Sequence, residues 1–319
     1  MNASIIIPCY NMGDFVEEAL SSALATTGLA FEVIVLDDGS SDPHTQTVLA
    51  KLEQQYAATP NVHFHRHNNM GLSATRNRGI SLATGTLILP LDADNRIHAE
   101  FLIKAKAQFD QDETLGVVYS WAKTFGSGSS GVREFPEFDL QRMLLGNTVE
   151  ACSVFRRKVW QDVGGYDETK FKEGYEDWDF WLGAVEHGWK FKRIPEALFE
   201  YRVRPDSMVS TCNEPAIRQK LVTQLIEKHK DLYASCWPEL LIQRELTTLA
   251  YEKAVAGYHQ RFVEALADFQ HFATEWNQRC EQLEAKVQAQ NAQLHQLRYV
   301  IGIFRRLERA AALFRRKPS

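Results

Sequence analysis

Thr86-Leu87-Ile88-Leu89-Pro90-Leu91-Asp92-Ala93-Asp94-Asn95 is an apolar run that stops at two carboxylates set one residue apart. A short, continuously apolar run bounded by turn residues reads as a buried strand. Its end delivers Asp92 and Asp94 to the edge of a sheet, where open α/β folds bind their ligands. Paired hard oxygen ligands there suit Mg²⁺ or Mn²⁺, and such a metal commonly also touches substrate phosphates. The same triplet recurs at Asp110/Asp112 and Asp177/Asp179, but only Asp92/Asp94 closes an apolar strand.

Upstream, Ser4-Ile5-Ile6-Ile7-Pro8 is a β-branched first strand. A helix follows over 14–25, with Asp14 and Glu17 spaced as a capping box. Phe31-Glu32-Val33-Ile34-Val35-Leu36 is a second strand. It ends in Asp37-Asp38-Gly39-Ser40-Ser41-Asp42, a cluster with turn and helix-cap chemistry. A helix over 45–57, a strand over 62–67 and a helix over 73–83 with Gly85 as its cap lead to the Asp92 strand. This alternation predicts an α/β fold with a parallel-dominated sheet flanked by helices. Downstream, the pattern predicts helices over 99–110, 154–163 and 178–187, the last closed by Gly188, and a strand over 116–121. Beyond about 212 glycine becomes rare and long helical patterns take over, at 215–233 and 239–279. Three regions result: 1–212, an α-helical extension over 213–279, and an amphipathic, coiled-coil-like basic helix over 280–319.

The 319 residues and the 45% hydrophobic fraction allow a full core. The net charge of -5 gives no sign of nucleic-acid binding. Five scattered cysteines form no Cys-x-x-Cys pair and indicate neither a zinc site nor a disulfide framework. The start lacks a signal-peptide pattern and no stretch is apolar enough to span a bilayer, so the expected location is cytoplasmic.

Several motifs admit a plain and a functional reading. Gly126-x-Gly128-x-x-Gly131 matches a dinucleotide fingerprint in letters, but no helix follows it, so a loop is expected. His63, His65 and His67 share one strand face, where an ordinary polar face is preferred to a zinc site. Of Asp37 and Asp38, one carboxylate can cap a helix while the other recognises a base or ribose. Glu176-Asp177-Trp178-Asp179-Phe180-Trp181 is either an acidic helix start or a general base beside aromatic walls for a sugar ring. Arg202 and Arg204 either face solvent or clamp a diphosphate.

In order, Ile6-Ile7-Pro8-Cys9-Tyr10-Asn11, Val35-Leu36-Asp37-Asp38-Gly39-Ser40-Ser41-Asp42 and Asn68-Asn69-Met70-Gly71-Leu72-Ser73-Ala74-Thr75-Arg76-Asn77-Arg78-Gly79 precede the Asp92 motif. Val163-Gly164-Gly165-Tyr166-Asp167-Glu168 and Glu176-Asp177-Trp178-Asp179 follow it. The series, from residue 4 to about 210, resembles glycosyltransferase family 2. The resemblance implies a GT-A fold (Rossmann-like) and inverting, metal-dependent transfer from a nucleotide-diphosphate sugar, with a UDP-sugar as the expected donor. It implies that Pro8, Tyr10 and Asp38 hold the nucleoside and that Arg76 supports the nucleotide and the acidic cluster. Asp92 would meet the ribose or the metal's water, and Asp94 would ligate the Mn²⁺ or Mg²⁺. Asp177 falls on the general base, with Glu176, Trp178 and Trp181 on the acceptor side. Arg202 and Arg204 fall in a loop that closes on the diphosphate. Relatives often carry His where this chain has Arg204, which cannot ligate a metal.

The expected acceptor is a glycan or a lipid-linked saccharide. A sugar nucleotidyltransferase would need a glycine-rich basic loop after the first strand, and Pro8-Cys9-Tyr10-Asn11-Met12-Gly13 is not one. A non-catalytic subunit would be signalled by loss of an acidic motif, and both are present. In the tail, Tyr299, Ile303, Phe304 and Leu307 interleave with Arg305, Arg306 and Arg309. That pattern fits peripheral contact with the inner face of a plasma membrane, or packing on a sister subunit. Leu283, Val287, Leu294 and Ile301 form a partial heptad seam with Gln290 or Asn291 as its polar break.

Overall fold

The computed structural model describes residues 2–314 apart from Ser129, Asp206 and 208–210, with side chains described up to 291 and at a few positions beyond. Strands β1 (Ala3–Cys9), β2 (Phe31–Asp37), β3 (Val62–Arg66) and β4 (Leu87–Pro90) pair in parallel in the order β3-β2-β1-β4. All of β1 and β4 is buried, as expected of central strands covered on both faces. The chain leaves β1 toward β2 and β3, then returns to the other side of β1 as β4. That reversal leaves a crevice at the carboxyl ends of β1 and β4.

Helices α1 (Val16–Leu24), α2 (Pro43–Gln55) and α3 (Leu72–Leu82) cover this half. Helix α1 buries Val16, Ala19, Leu20 and Ala23, an i, i+3, i+4, i+7 stripe. Helix α3 lies unusually close to the sheet. A Cβ on Gly79 would sit 2.4 Å from Ile6 Cγ2 and 2.8 Å from Leu36 Cδ1. Only glycine permits that approach, and it carries Arg76, one turn earlier, to the edge of β4.

The other half of the sheet is mixed. After β5 (Arg96–Ile97) and α4 (Phe101–Phe109), β6 (Leu115–Gly126) pairs antiparallel with β7 (Gly131–Arg133) and β8 (Val154–Arg156), and parallel with β9 (Lys190–Val203). Between these lie α5 (Leu140–Leu145), α6 (Arg157–Val163) and α7 (Glu176–Glu186). The Gly126–Gly131 stretch is the turn between β6 and β7, and no helix follows it.

Some local expectations are corrected. Residues 154–156 are strand rather than helix, because they pair with both β4 and β6. Asp14 does not cap α1; its carboxylate meets His44 Nε2 at 3.0 Å, and α1 has no side-chain cap. Gly85 is not the cap of α3. It packs on β1, donating its N–H to Ser4 Oγ at 2.9 Å. Neither Asp37 nor Asp38 caps α2; Asp42 does, accepting from the N–H groups of His44 and Thr45.

The change in sequence grammar near 212 is not where packing ends. The compact unit runs Met1–Arg244 and the remainder of the chain forms a second unit. The pattern over 215–233 breaks at His229 into α8 (Pro215–Lys228) and α9 (Lys230–Ser235). Leu221 and Leu225 of α8 are fully buried, worth ~1.5–3 kcal/mol apiece. His229 lies 3.0 Å from both Asp179 and Glu186 of α7, and Tyr233 Oη donates to Leu144 O at 3.0 Å. Helix α10 (Trp237–Phe314) then runs without interruption. Among the described residues no helix is long and apolar enough to cross a membrane. The side chains of Tyr299, Ile303, Phe304, Leu307, Arg306 and Arg309 lie outside the described residues.

Candidate active site

Arg76 is 1% exposed and forks between two carboxylates from opposite walls of the crevice. Its Nη2 donates to Asp92 Oδ1 at 2.7 Å and its Nη1 to Glu176 Oε1 at 2.6 Å. The guanidinium also lies over the Tyr166 ring, 5.6 Å from its centre. Burial opposes the charge of Arg76, but Asp92 and Glu176 outweigh it and hold the proton more firmly than usual. A planar fork is what permits one side chain to serve both acids.

At the end of β4, Asp94 is 19% exposed and meets Arg204 Nε at 3.2 Å. Burial, then the like charge of Asp92, push the Asp94 carboxyl up to about 6, against the pull of Arg204 and Arg202. Arg202 donates from Nε to the Asp94 carbonyl at 2.9 Å and from Nη2 to Glu18 Oε2 at 2.8 Å. It lies between the rings of Phe15 and Phe125. Neither arginine is a loose solvent-facing side chain: Arg204 meets the Asp94 carboxylate, and Arg202 holds the Asp94 carbonyl and Glu18.

On the other side of Arg76, Asp177 opens α7. Its Oδ1 accepts from the Trp178 N–H at 2.8 Å and its Oδ2 from Asn147 Nδ2 at 2.9 Å. Burial, with the adjacent Glu176 adding to it, raises the Asp177 carboxyl well above the usual carboxylate range. The residue before the acidic pair, Tyr175, has φ +66°, and Asn11, just after Tyr10, has φ +54°. Among the described residues these are the two non-glycine positions with positive φ, and each adjoins a residue assigned to the site, Tyr10 or Glu176. Such strain tends to gather at functional sites.

Pro8 is buried near the end of β1, and Tyr10, just past its last residue Cys9, is 44% exposed, presenting its ring at the sheet edge. Asp38 is buried. Its two oxygens accept from the N–H groups of Met70 and Gly71 at 2.7 and 3.0 Å, and His67 Nε2 lies 3.2 Å away. It therefore shapes the loop between β3 and α3. Gly39 beside it has φ +66° and lets the chain pass against Asn69, whose N would lie 2.6 Å from a Cβ there.

The three residues assigned to the acceptor side are all buried. Glu176 is 6% exposed and turned onto Arg76. Trp181 is fully buried, its Nε1 donating to Val149 O at 3.1 Å, and Trp178 is 5% exposed, its Nε1 donating to Met143 O at 2.7 Å. Both indoles are core, so the face of Trp181 is closed to any acceptor. Sequence reasoning missed Asn147, which holds Asp177, and the ion pair of Arg133 with Glu150 at 2.8 Å. It also missed Asn77. That amide receives N–H groups from Trp160 and Tyr166 and donates to the Tyr166 carbonyl, tying α3 to the Gly164-Gly165-Tyr166 turn.

Among the described residues no group of three or more His, Cys, Asp or Glu side chains is placed to hold a metal by itself. His63 lies nearest Glu32, at 3.7 Å, and His67 turns to Asp38 and Thr75. The β4 acids fit a different arrangement. Asp92 and Asp94 offer hard oxygens side by side, and burial together with the like charge of Asp92 raises the Asp94 carboxyl. One or two carboxylates completed by phosphate oxygens and water is how Mg²⁺ is usually held.

A crevice at a sheet reversal, edged by acids and arginines, is the site of an α/β enzyme for phosphorylated ligands. The sequence comparison identifies which: residues 4–164 match the model of glycosyl transferase family 2, and the chain belongs to that family of transferases. A chondroitin synthase and a hyaluronan synthase of Pasteurella multocida are each 28% identical over 207 residues, 64% of this chain. The chain spans only 21% of the length of those two synthases. An uncharacterized glycosyltransferase of Bacillus subtilis, EpsJ, is 26% identical over 260 residues, 74% of this chain and 73% of that protein. The structure of S. aureus TarS in complex with UDP-GlcNAc superimposes with a TM-score of 0.55 at 22% identity, over 74% of this chain and 73% of that one. That likeness shows the shared GT-A-like fold.

Proposed function

We propose that the chain transfers a sugar from a UDP-linked donor, with inversion, to a hydroxyl of a glycan or lipid-linked saccharide, assisted by Mn²⁺ or Mg²⁺. The observation that carries this reading is the division of labour around Arg76. It links Asp92, beside Asp94 and two arginines, to Glu176, whose neighbour Asp177 has a raised proton affinity.

In this reading the base of the nucleotide packs on Tyr10 beside Pro8, and the loop shaped by Asp38 borders it. Asp94 and Asp92 face the diphosphate, and Arg202 and Arg204 turn their donors onto it. The cation, when bound, compensates the charge on the departing diphosphate. Asp177 takes the proton of the acceptor hydroxyl. The freed oxygen attacks the anomeric carbon as the bond to the diphosphate oxygen breaks, and the nucleoside diphosphate leaves. Attack opposite the leaving group inverts the centre. A proton affinity raised toward neutrality suits a base that must accept a proton in the transition state. Asn147 keeps the Asp177 carboxylate aimed.

Screening nucleotide-sugars for donor hydrolysis and transfer with Mn²⁺, with the anomeric configuration of the product read by NMR, tests the proposal. Transfer with inversion is expected from a UDP-sugar. A retained configuration would remove Asp177 from the role of base, and turnover indifferent to chelator would remove the cation.

A further inference from the structure

The exposed face of α10 carries a seven-residue repeat that the transfer reaction does not use. Val255, Phe262, Phe269, Trp276, Leu283 and Gln290 recur every seven residues. Between them Leu266, Ala273, Cys280 and Val287 keep the same period, and His259 opens this second series. The spacing alternates four and three, the a/d pattern of a left-handed coiled coil. On a straight helix such a stripe drifts ~20° per heptad, so it stays covered only against another helix that supercoils with it.

Large apolar groups remain uncovered. Tyr258, Phe262, Phe269, Phe272 and Trp276 are each 60–70% exposed. At ~150–250 Å² per buried aromatic, they and the aliphatic positions reach the ~800 Å² per partner of a stable interface.

We propose that this face, from Val255 to Gln290, pairs in parallel with the same face of a second copy of the chain. Charge favours a protein over a bilayer. Glu264, Asp268, Glu275, Glu281 and Glu284 outnumber Arg261, Arg279 and Lys286 on this stretch, whereas helices that lie on anionic lipid carry a basic polar face. Two features favour a parallel twin. Arg279 and Glu284 fall at g and at the e of the next heptad, the positions that face each other across a parallel pair. Gln290 is a lone amide within the d series, and a parallel copy sets a second amide opposite it, which fixes register. Bulky Phe269 and Trp276 alternate with small Ala273 and Cys280, so each wide layer is followed by a narrow one.

Sedimentation equilibrium of the full chain across the micromolar range should give twice the chain mass. A short bismaleimide should join two chains through Cys280, and Cys280→Ala should abolish the joined species. The double variant Phe269→Glu/Trp276→Glu should sediment as a single chain while keeping its helical circular dichroism and donor hydrolysis. A wild-type chain of single mass, or a double variant that still pairs, overturns the proposal. Three or more chains overturn the pairwise form, and pairing without the Cys280 product overturns the parallel register. Single mass together with co-sedimentation on anionic vesicles, lost in the double variant, would assign the stripe to a membrane instead.

Discussion

The two acidic pairs that face each other in the crevice, Asp92/Asp94 at the end of β4 and Glu176/Asp177 at the start of α7, follow one rule by different means. In each, one carboxylate is tied to Arg76 and the other is left with a raised proton affinity. At β4 the untied acid, Asp94, faces Arg204. At α7 the untied acid, Asp177, accepts hydrogen bonds from neutral donors, Asn147 and its neighbour's N–H. Excess negative charge beside cations suits an anionic ligand carrying its own metal. A buried carboxylate beside a like charge and neutral donors suits a group that will take up a proton. The contrast supports the proposed division into a donor side at β4 and an acceptor side at α7.

Removing the shared partner should break both pairs at once. Arg76→Met is expected to leave two acids uncompensated and to cost about 3–5 kcal/mol of stability, read from urea midpoints, with loss of transfer. The lower end is expected, because Asp92 is 34% exposed and partly screened by water. For the same reason Glu176→Gln should cost more than Asp92→Asn. Equal midpoints for Arg76→Met and wild type would mean the fork carries no structural weight.

The next effect falls on one pair only. Asp177→Asn should lower transfer ~10²–10⁴-fold while melting temperature and nucleoside-diphosphate affinity stay near wild type. Near-normal transfer would move the base to another residue. Asp94→Ala should do the converse: calorimetry with a nucleoside diphosphate should lose the gain in affinity that Mn²⁺ confers. A mutant that kept that gain would shift the cation away from β4.

The smallest effect concerns pH. Asp177 acts only when ionised, and its proton is held above the usual carboxylate range. Transfer should therefore be full above that raised value and fall as pH drops through it. Asn147 donates to the ionised form, so Asn147→Ala should raise the value further and move the acid limb of the rate profile toward alkaline pH, by about one unit. A limb that stays where it is, or moves toward acid, would show that Asn147 does not support the charged base.

The parts of this molecule legible in its sequence are those whose cause is local. Strands β1, β2 and β4 are buried on both faces and so write continuous apolar runs; the Asp92 motif is visible because it interrupts one. Strand β9 carries Pro195 and four Lys and Glu residues, Lys190, Lys192, Glu196 and Glu200, signals that ordinarily demote a strand, and it fits only through register shifts against β6. Arg76 and Glu176 are a hundred residues apart in the chain, so spacing could not reveal their pairing, and Glu176 read as an acceptor group. Trp181 read as a sugar platform because an exposed and a buried indole look alike in a string of letters. Asn147 gave no signal at all; its role exists only through the position of Asp177.

Arg204 stands 3.2 Å from the Asp94 carboxylate, the atom group to which the proposed cation would bind. Guanidinium and cation then compete for the same oxygens, and neither is indifferent to the diphosphate, which offers Arg204 an alternative anion. Anything that draws Arg204 away from Asp94 would tighten the proposed cation, and the cation in turn would release Arg204 for the diphosphate. Linkage makes that help mutual and equal in both directions. Under the proposed function metal and nucleotide would therefore bind cooperatively, with the arginine holding the metal's position until the substrate gives it reason to leave.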